Sequence, residues 1–173
     1  MELSLCPFVM KLLEKLIDIP SPSGSEYLMT DFIIDYVKKN SPEWSNKPKV
    51  ISGGQLQDNL ILVFGKPRTA IFAHMDTIGF TVRYQDQLVP IGGPHAENGY
   101  ELVGRDGLGF IDAKLRLEDG GELFYDFPRA IETGTTLTWK PNLKVSEDFI
   151  EGPYMDNRLG IYNALKVAET LED

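Results

Sequence analysis

The sequence predicts an α/β fold into which a small β domain is inserted. Three observations predict it. Apolar residues recur at helical spacing near both ends of the chain. From Phe80 to about Gly152 that period disappears, and short β-rich runs separated by turn signals replace it. Just before the change stands an apolar run, Ala70–Ala73, which reads as a buried strand. The organisation expected is residues 1–79 as the first part of an α/β domain, 80–152 as the inserted barrel, and 153–173 as the α/β domain resuming.

The elements follow in order. Pro7 suits the first turn of a helix, and Phe8, Leu12, Leu13, Leu16 and Ile17 then give one apolar face. Pro20-Ser-Pro-Ser-Gly24 stops that helix. Ser23-Gly-Ser-Glu26 has the pattern of a capping box for a second helix, whose apolar side is Leu28, Phe32, Ile33, Tyr36 and Val37. Lys38 and Lys39 suit its last turn, and Pro42 lies just beyond. Val50-Ile51 and Asn59–Phe64 read as strands, and Gly65–Arg68 as a tight turn into Ala70–Ala73.

Seven short runs then read as strands of a small barrel or sandwich: 80–84, 88–91, 100–103, 109–117, 122–125, 135–139 and 145–150. Phe110, Ala113, Leu115 and Leu117 alternate in part, which predicts one solvated face. A last helix covers 157–172, with Ile161, Tyr162, Leu165, Ala168 and Leu171 on its apolar face. If 80–152 is an insertion, its two joints lie beside His74 and Asp156 and bring those residues together.

Composition bounds the function. The 173 residues carry a net charge of −9, which argues against a nucleic-acid backbone or an anionic membrane as partner. No apolar run approaches the ~18 residues needed to span a bilayer, and the first residues lack the basic and apolar regions of a signal peptide. The single cysteine, Cys6, permits no internal disulfide and fits a reducing cytosol, so a cytoplasmic location is expected.

The chemistry-bearing residues stand at the two joints. His74 and Asp76 follow the expected strand Ala70–Ala73, and a two-residue period puts both on one side. An imidazole at a strand's carboxyl end is a natural zinc ligand, and a carboxylate two residues on can orient it. Alone, the pair is a weak metal signal and reads first as an ordinary polar strand end. Asp156, opening the last helix, reads alone as a helix cap. His95, in Gly93–Asn98, reads as a solvent-exposed loop histidine, with a substrate-facing place at the rim as the alternative.

Taken together, Ala73–Phe80, Ile91-Gly92-Gly93 and Asp156–Gly160 resemble the co-catalytic dinuclear metallo-aminopeptidases, the family of the tetrahedral and glutamyl aminopeptidases. That family carries Ala-His-x-Asp-x-Ile-Gly-Phe, then Ile-Gly-Gly, then Asp-Asp-Arg-x-Gly, in this order and at this spacing. The resemblance implies a zinc-exopeptidase-like α/β/α catalytic domain with a β-barrel that drives homo-oligomerisation. It implies peptide substrates and two divalent metal ions, zinc first, with cobalt or manganese as substitutes. It makes His74 the ligand of one metal and Asp156 the bridge between both. Asp76 would orient His74 and tune its basicity. It also implies a non-proline cis bond after Asp156, with Arg158 fixing the helix start or pairing with a carboxylate.

Two departures matter. Asn157 stands where the family has a second Asp, so that carboxylate's role is lost or replaced. The family's Glu-Glu pair, a further metal-binding acid and a late His have no counterpart, and no Glu-Glu pair occurs in the sequence. The expectation is the N-terminal half of a longer enzyme, or a truncated relative, with an incomplete site that does not hydrolyse peptides by itself. Two alternatives stand beside it: a metal-dependent deacylase of N-acyl amino acids, and a non-catalytic assembly module.

Overall fold

The structure is a computed structural model and describes residues 7–172. The expectations placed on residues 1–6, Cys6 included, and on the Phe8 side chain fall outside the described residues. The chain divides into two compact units. Among the described residues, one comprises 7–21, 25–75 and 155–172, the other 22–24 and 76–154.

The first unit is built on three helices and a hairpin. Helix α1 (Pro7–Asp18) buries Leu12, Leu13, Leu16 and Ile17, which recur every three or four residues along one stripe. Helix α2 (Tyr27–Asn40) buries Met29, Thr30, Ile33 and Val37. Helix α3 (Met155–Thr170) buries Arg158, Ile161, Leu165 and Ala168. Leu12, Leu16, Met29, Ile33, Val37, Ile161, Leu165 and Ala168 share one core, which Trp44 joins. Strands β1 (Lys49–Ser52) and β2 (Leu60–Val63) pair antiparallel, with Ile51 opposite Ile61. Leu60 and Leu62, on one face of β2, reach the helical core. The Tyr36 hydroxyl donates to Glu169, tying α2 to α3. Burial, and then that carboxylate, push the phenol far above its ordinary pKa.

Three expectations need correction here. Ala70–Ala73 forms no ladder: among the described residues no strand pairs with it, and Ile71 and Phe72 are 63% and 88% exposed. A strand exists through hydrogen bonds to a neighbour, and apolar composition cannot supply the neighbour. The capping box does not form either. Helix α2 begins at Tyr27 with Glu26 at its cap and no side-chain cap bond. The Ser23 hydroxyl donates instead to the Asp76 carboxylate at 2.6 Å, and a bond to an ionised acceptor outcompetes a neutral cap. Leu28, expected inside, is exposed, and Met29 takes the buried position.

The second unit is a closed six-stranded antiparallel barrel. Its strands are β3 (Gly79–Val82), β4 (Gln87–Ile91), β5 (Glu101–Asp106), β6 (Gly109–Leu117), β7 (Leu123–Asp126) and β8 (Thr136–Trp139). The order around the barrel is β3-β4-β7-β6-β5-β8, closed where β8 meets β3 with Leu137 opposite Phe80. Closure leaves no open sheet edge. A further hairpin joins β9 (Lys144–Val145) to β10 (Ile150–Glu151).

The interior is filled by Phe80, Val82, Leu102, Ile111, Leu115 and Leu137, all essentially without solvent contact. Each such side chain contributes roughly 1.5–3 kcal/mol on burial. On β6 the inward set is Ile111, Ala113 and Leu115, and Phe110 faces out. The two-residue side-chain period makes 110 and 111 opposite faces, so only one of the two can be inside. Gly104 sits where β5 passes β8: a Cβ there would lie 2.6 Å from the Thr136 carbonyl oxygen and 2.6 Å from Leu137 Cδ2. The barrel therefore closes around Leu137 only with glycine at that crossing.

Candidate metal centre

His74 is presented by the segment that follows the hairpin. Ala73 and Met75 on either side of it pack partly into the helical core. The residue between them is turned outward, and the His74 side chain is 50% exposed. Asp156 comes from the start of α3. Its backbone (φ −89°, ψ 101°) and that of Asn157 (φ −126°, ψ 34°) are not helical, so regular helix begins at Arg158. The peptide bond between Asp156 and Asn157 is cis.

These elements bring His74 and Asp156 together across 82 residues of sequence. His74 Nε2 donates to Asp156 Oδ1 at 2.9 Å. The Asp156 side chain is 94% exposed, so the pair opens to solvent.

Arg158 is buried completely at the base of this arrangement. Its guanidinium donates to the carbonyl oxygens of Met75 (2.7 Å) and Ile19 (3.0 Å) and to the Ser21 hydroxyl (2.6 Å). The hydroxyl of Ser21 donates in turn to the same Met75 carbonyl, at 2.6 Å. Arg158 thus fixes the helix start, as expected, and does so through backbone carbonyls.

Asp76 belongs to the barrel unit, where it accepts from Ser23. His95 is exposed on that unit, with Nε2 donating to Glu97 Oε1 at 2.9 Å. That bond, joined by one from Tyr100, holds the Glu97 carboxyl below its ordinary range.

The donor chemistry fits a borderline-soft divalent ion. An imidazole nitrogen and a carboxylate oxygen are both zinc ligands at ~2.0–2.2 Å, and two ligands of a tetrahedral ion stand ~3.3 Å apart. The observed 2.9 Å needs only a small opening to admit one. The number of donors does not close a site: among the described residues no group of three or more His, Cys, Asp or Glu side chains converges for a metal. His74 and Asp156 fit as two members of a larger ligand set.

A lysyl aminopeptidase of Pyrococcus furiosus is 28% identical over a match covering 93% of this chain and 54% of its own length. An aminopeptidase from the archaeon Desulfurococcus kamchatkensis superposes with a TM-score of 0.77 at 22% identity, over 96% of this chain and 53% of its own. The Pyrococcus horikoshii TET1 peptidase, which can assemble into a tetrahedron or a large octahedral shell, gives 0.70 at 19% identity over 94% and 56%. This chain is similar in sequence to a lysyl aminopeptidase and shares its fold with tetrahedral aminopeptidases over the matched part. It spans about half the length of the relatives it matches. No protein-family model matches it.

One residue at the base of the site escaped the sequence reading. Ser21 lies in the Pro20–Gly24 stretch, which reads as a connector, yet it is wholly buried. No local pattern marks it, because both of its partners, Met75 and Arg158, are more than 50 residues away.

Proposed function

We propose that this chain is the N-terminal half of a metal-dependent aminopeptidase-type peptide hydrolase, working in the cytoplasm. Residues 1–79 and 153–173 would form part of its α/β/α catalytic domain, and residues 80–152 would be a barrel through which copies assemble. The observation that carries this reading is the meeting of His74 and Asp156 at 2.9 Å across 82 residues of sequence, each placed by its own segment.

In this reading His74 offers one imidazole nitrogen and Asp156 two carboxylate oxygens, enough to grip one ion and reach a second. Asp76 would set the orientation of His74. When bound, two divalent ions, zinc most readily and cobalt or manganese as substitutes, would polarise the scissile carbonyl and acidify water for the attack. The residues of this chain hold and orient; a proton shuttle and the remaining ligands would come from elsewhere in the enzyme. The aminopeptidases that the chain matches, and its match to half their length, support the assignment.

Ligand counting gives the test. Two donors hold a metal weakly where a closed site takes about four. The purified chain should bind cobalt or zinc in calorimetry, lose that binding in His74→Ala and Asp156→Ala, and leave aminoacyl-anilides uncut with any of the three metals. Binding unaffected by both substitutions would remove the site. Robust turnover that His74→Ala abolishes would show a complete site within these residues.

A further inference from the structure

The contact between His74 and Asp156 cannot hold itself in place. Both side chains are at least half exposed. Exposed ion pairs contribute little, because water screens them and both side chains must be immobilised. Something buried has to set their separation.

Arg158 is in the right place to do so. It is two residues past Asp156, and the carbonyl it grips belongs to Met75, the residue after His74. Its charge is permanent and its donors form a rigid planar fork. The guanidinium is wholly out of water, and its two terminal nitrogens bond the carbonyls of Met75 and Ile19 and the Ser21 hydroxyl, which therefore cannot drift from it without cost. Ser21 doubles the hold by donating to the same Met75 oxygen. We infer that Arg158, with Ser21, is a positioning residue: a buried clamp that fixes the backbone beside His74 against the helix start that carries Asp156, and so sets the spacing of the two metal ligands. The metal part of this inference rests on the proposed function; the clamp itself does not.

Arg158→Lys separates a fork from a point charge, since an ammonium keeps the charge but cannot reach both carbonyls in the fork's geometry. The first readout needs no metal. In the parent chain, NMR should show cross-relaxation between the His74 ring protons and the Asp156 β-protons. Arg158→Lys should lose it while the barrel signals persist. The second readout is cobalt affinity, expected to fall by about tenfold or more, as for other groups that orient a ligand. Leu165→Ala, which weakens the same helix core away from the clamp, should lower the melting temperature and leave both readouts unchanged. Ser21→Ala should shift both in the direction of Arg158→Lys, by less.

A folded Arg158→Lys chain that keeps both the cross-relaxation and the parent's cobalt affinity overturns the inference. If that variant does not fold, Ser21→Ala decides, and parent values there overturn it equally. A parent chain with the cross-relaxation but no cobalt binding refutes the metal reading and leaves the clamp standing.

Discussion

Asn157 occupies the space where a side chain at 160 would begin: a Cβ on Gly160 would lie 1.8 Å from Asn157 Oδ1 and 2.6 Å from its Cγ. Asn157 directly follows Asp156, just before regular helix begins at Arg158, and Gly160 lies in the first regular turn. At the sequence level Asn157 is a carboxylate lost. In the fold its amide lies where a Cβ at position 160 would sit, so a larger residue there must displace that amide.

Gly160→Ala should therefore behave unlike an ordinary glycine replacement in a helix. Alanine gains about 1 kcal/mol in helix propensity, and the overlap with Asn157 costs about 1–3 kcal/mol. The expected net result is a destabilisation of up to about 2 kcal/mol in denaturant unfolding. Adding Asn157→Ala should remove the overlap and return the helix gain, so the double variant should be more stable than Gly160→Ala alone. Simple additivity of the two changes would refute the contact.

The barrel should be sensitive to acid at one carboxylate. Arg129 grips Asp106 with two bonds, 2.6 and 2.8 Å, and the Leu108 N–H adds a third at 3.0 Å. The Arg129 bonds are the main cause that lowers the Asp106 pKa to about 2 from an ordinary 3.8. A carboxylate lowered by folding binds its proton more readily in the unfolded chain, so stability rises with pH across that window. The contribution is fully present above the ordinary value near 3.8 and is lost as pH falls through about 2. Asp106→Asn should flatten the pH dependence of barrel unfolding between pH 4 and 2 while leaving far-ultraviolet dichroism at pH 7 unchanged. A parent and variant with parallel profiles would show that the pair does not act.

The proposed assembly through the barrel makes a separate prediction. Leu108 and Phe110 stand 72% and 61% exposed around the turn from β5 to β6. Large apolar side chains left outside in this way mark candidate contact surfaces. Light scattering at tens of micromolar should give a mass above that of the monomer, and the double variant Leu108→Asp, Phe110→Asp should lower it. A clean monomer with a folded barrel would overturn assembly through this unit.

How much of this was legible beforehand differs element by element. The stripe Leu12, Leu13, Leu16, Ile17 and the stripe Ile161, Leu165, Ala168 declared their buried faces, because a helix repeats every 3.6 residues whatever it packs against. The strands of the barrel were legible from turn residues and short β-rich runs. One hairpin gave no such signal: Gln85 and Asp86, both with positive φ, make the tight turn between β3 and β4 without a glycine.

Faces and partners were less legible. Phe110 and Ile111 are both apolar neighbours on a strand, and only the closure of the barrel decides which one enters it. Ser23 carries a valid capping pattern, and only the arrival of Asp76 diverts its hydroxyl.

For the site, the sequence by itself determined the residue types: His74, Asp76, Asp156 and the Asp-Asn-Arg-x-Gly turn carry the resemblance to the aminopeptidases without any coordinates. Only the tertiary structure decided that His74 and Asp156 meet, that Arg158 is spent on the carbonyls of Met75 and Ile19, and that Ala70–Ala73 stays unladdered among the described residues. The reason is range. Helix faces and turns are set by neighbours within four residues, which the sequence displays in order. A backbone carbonyl, a strand partner or a ligand pair separated by 82 residues has no local signature, because every residue offers the same N–H and C=O until folding chooses among them.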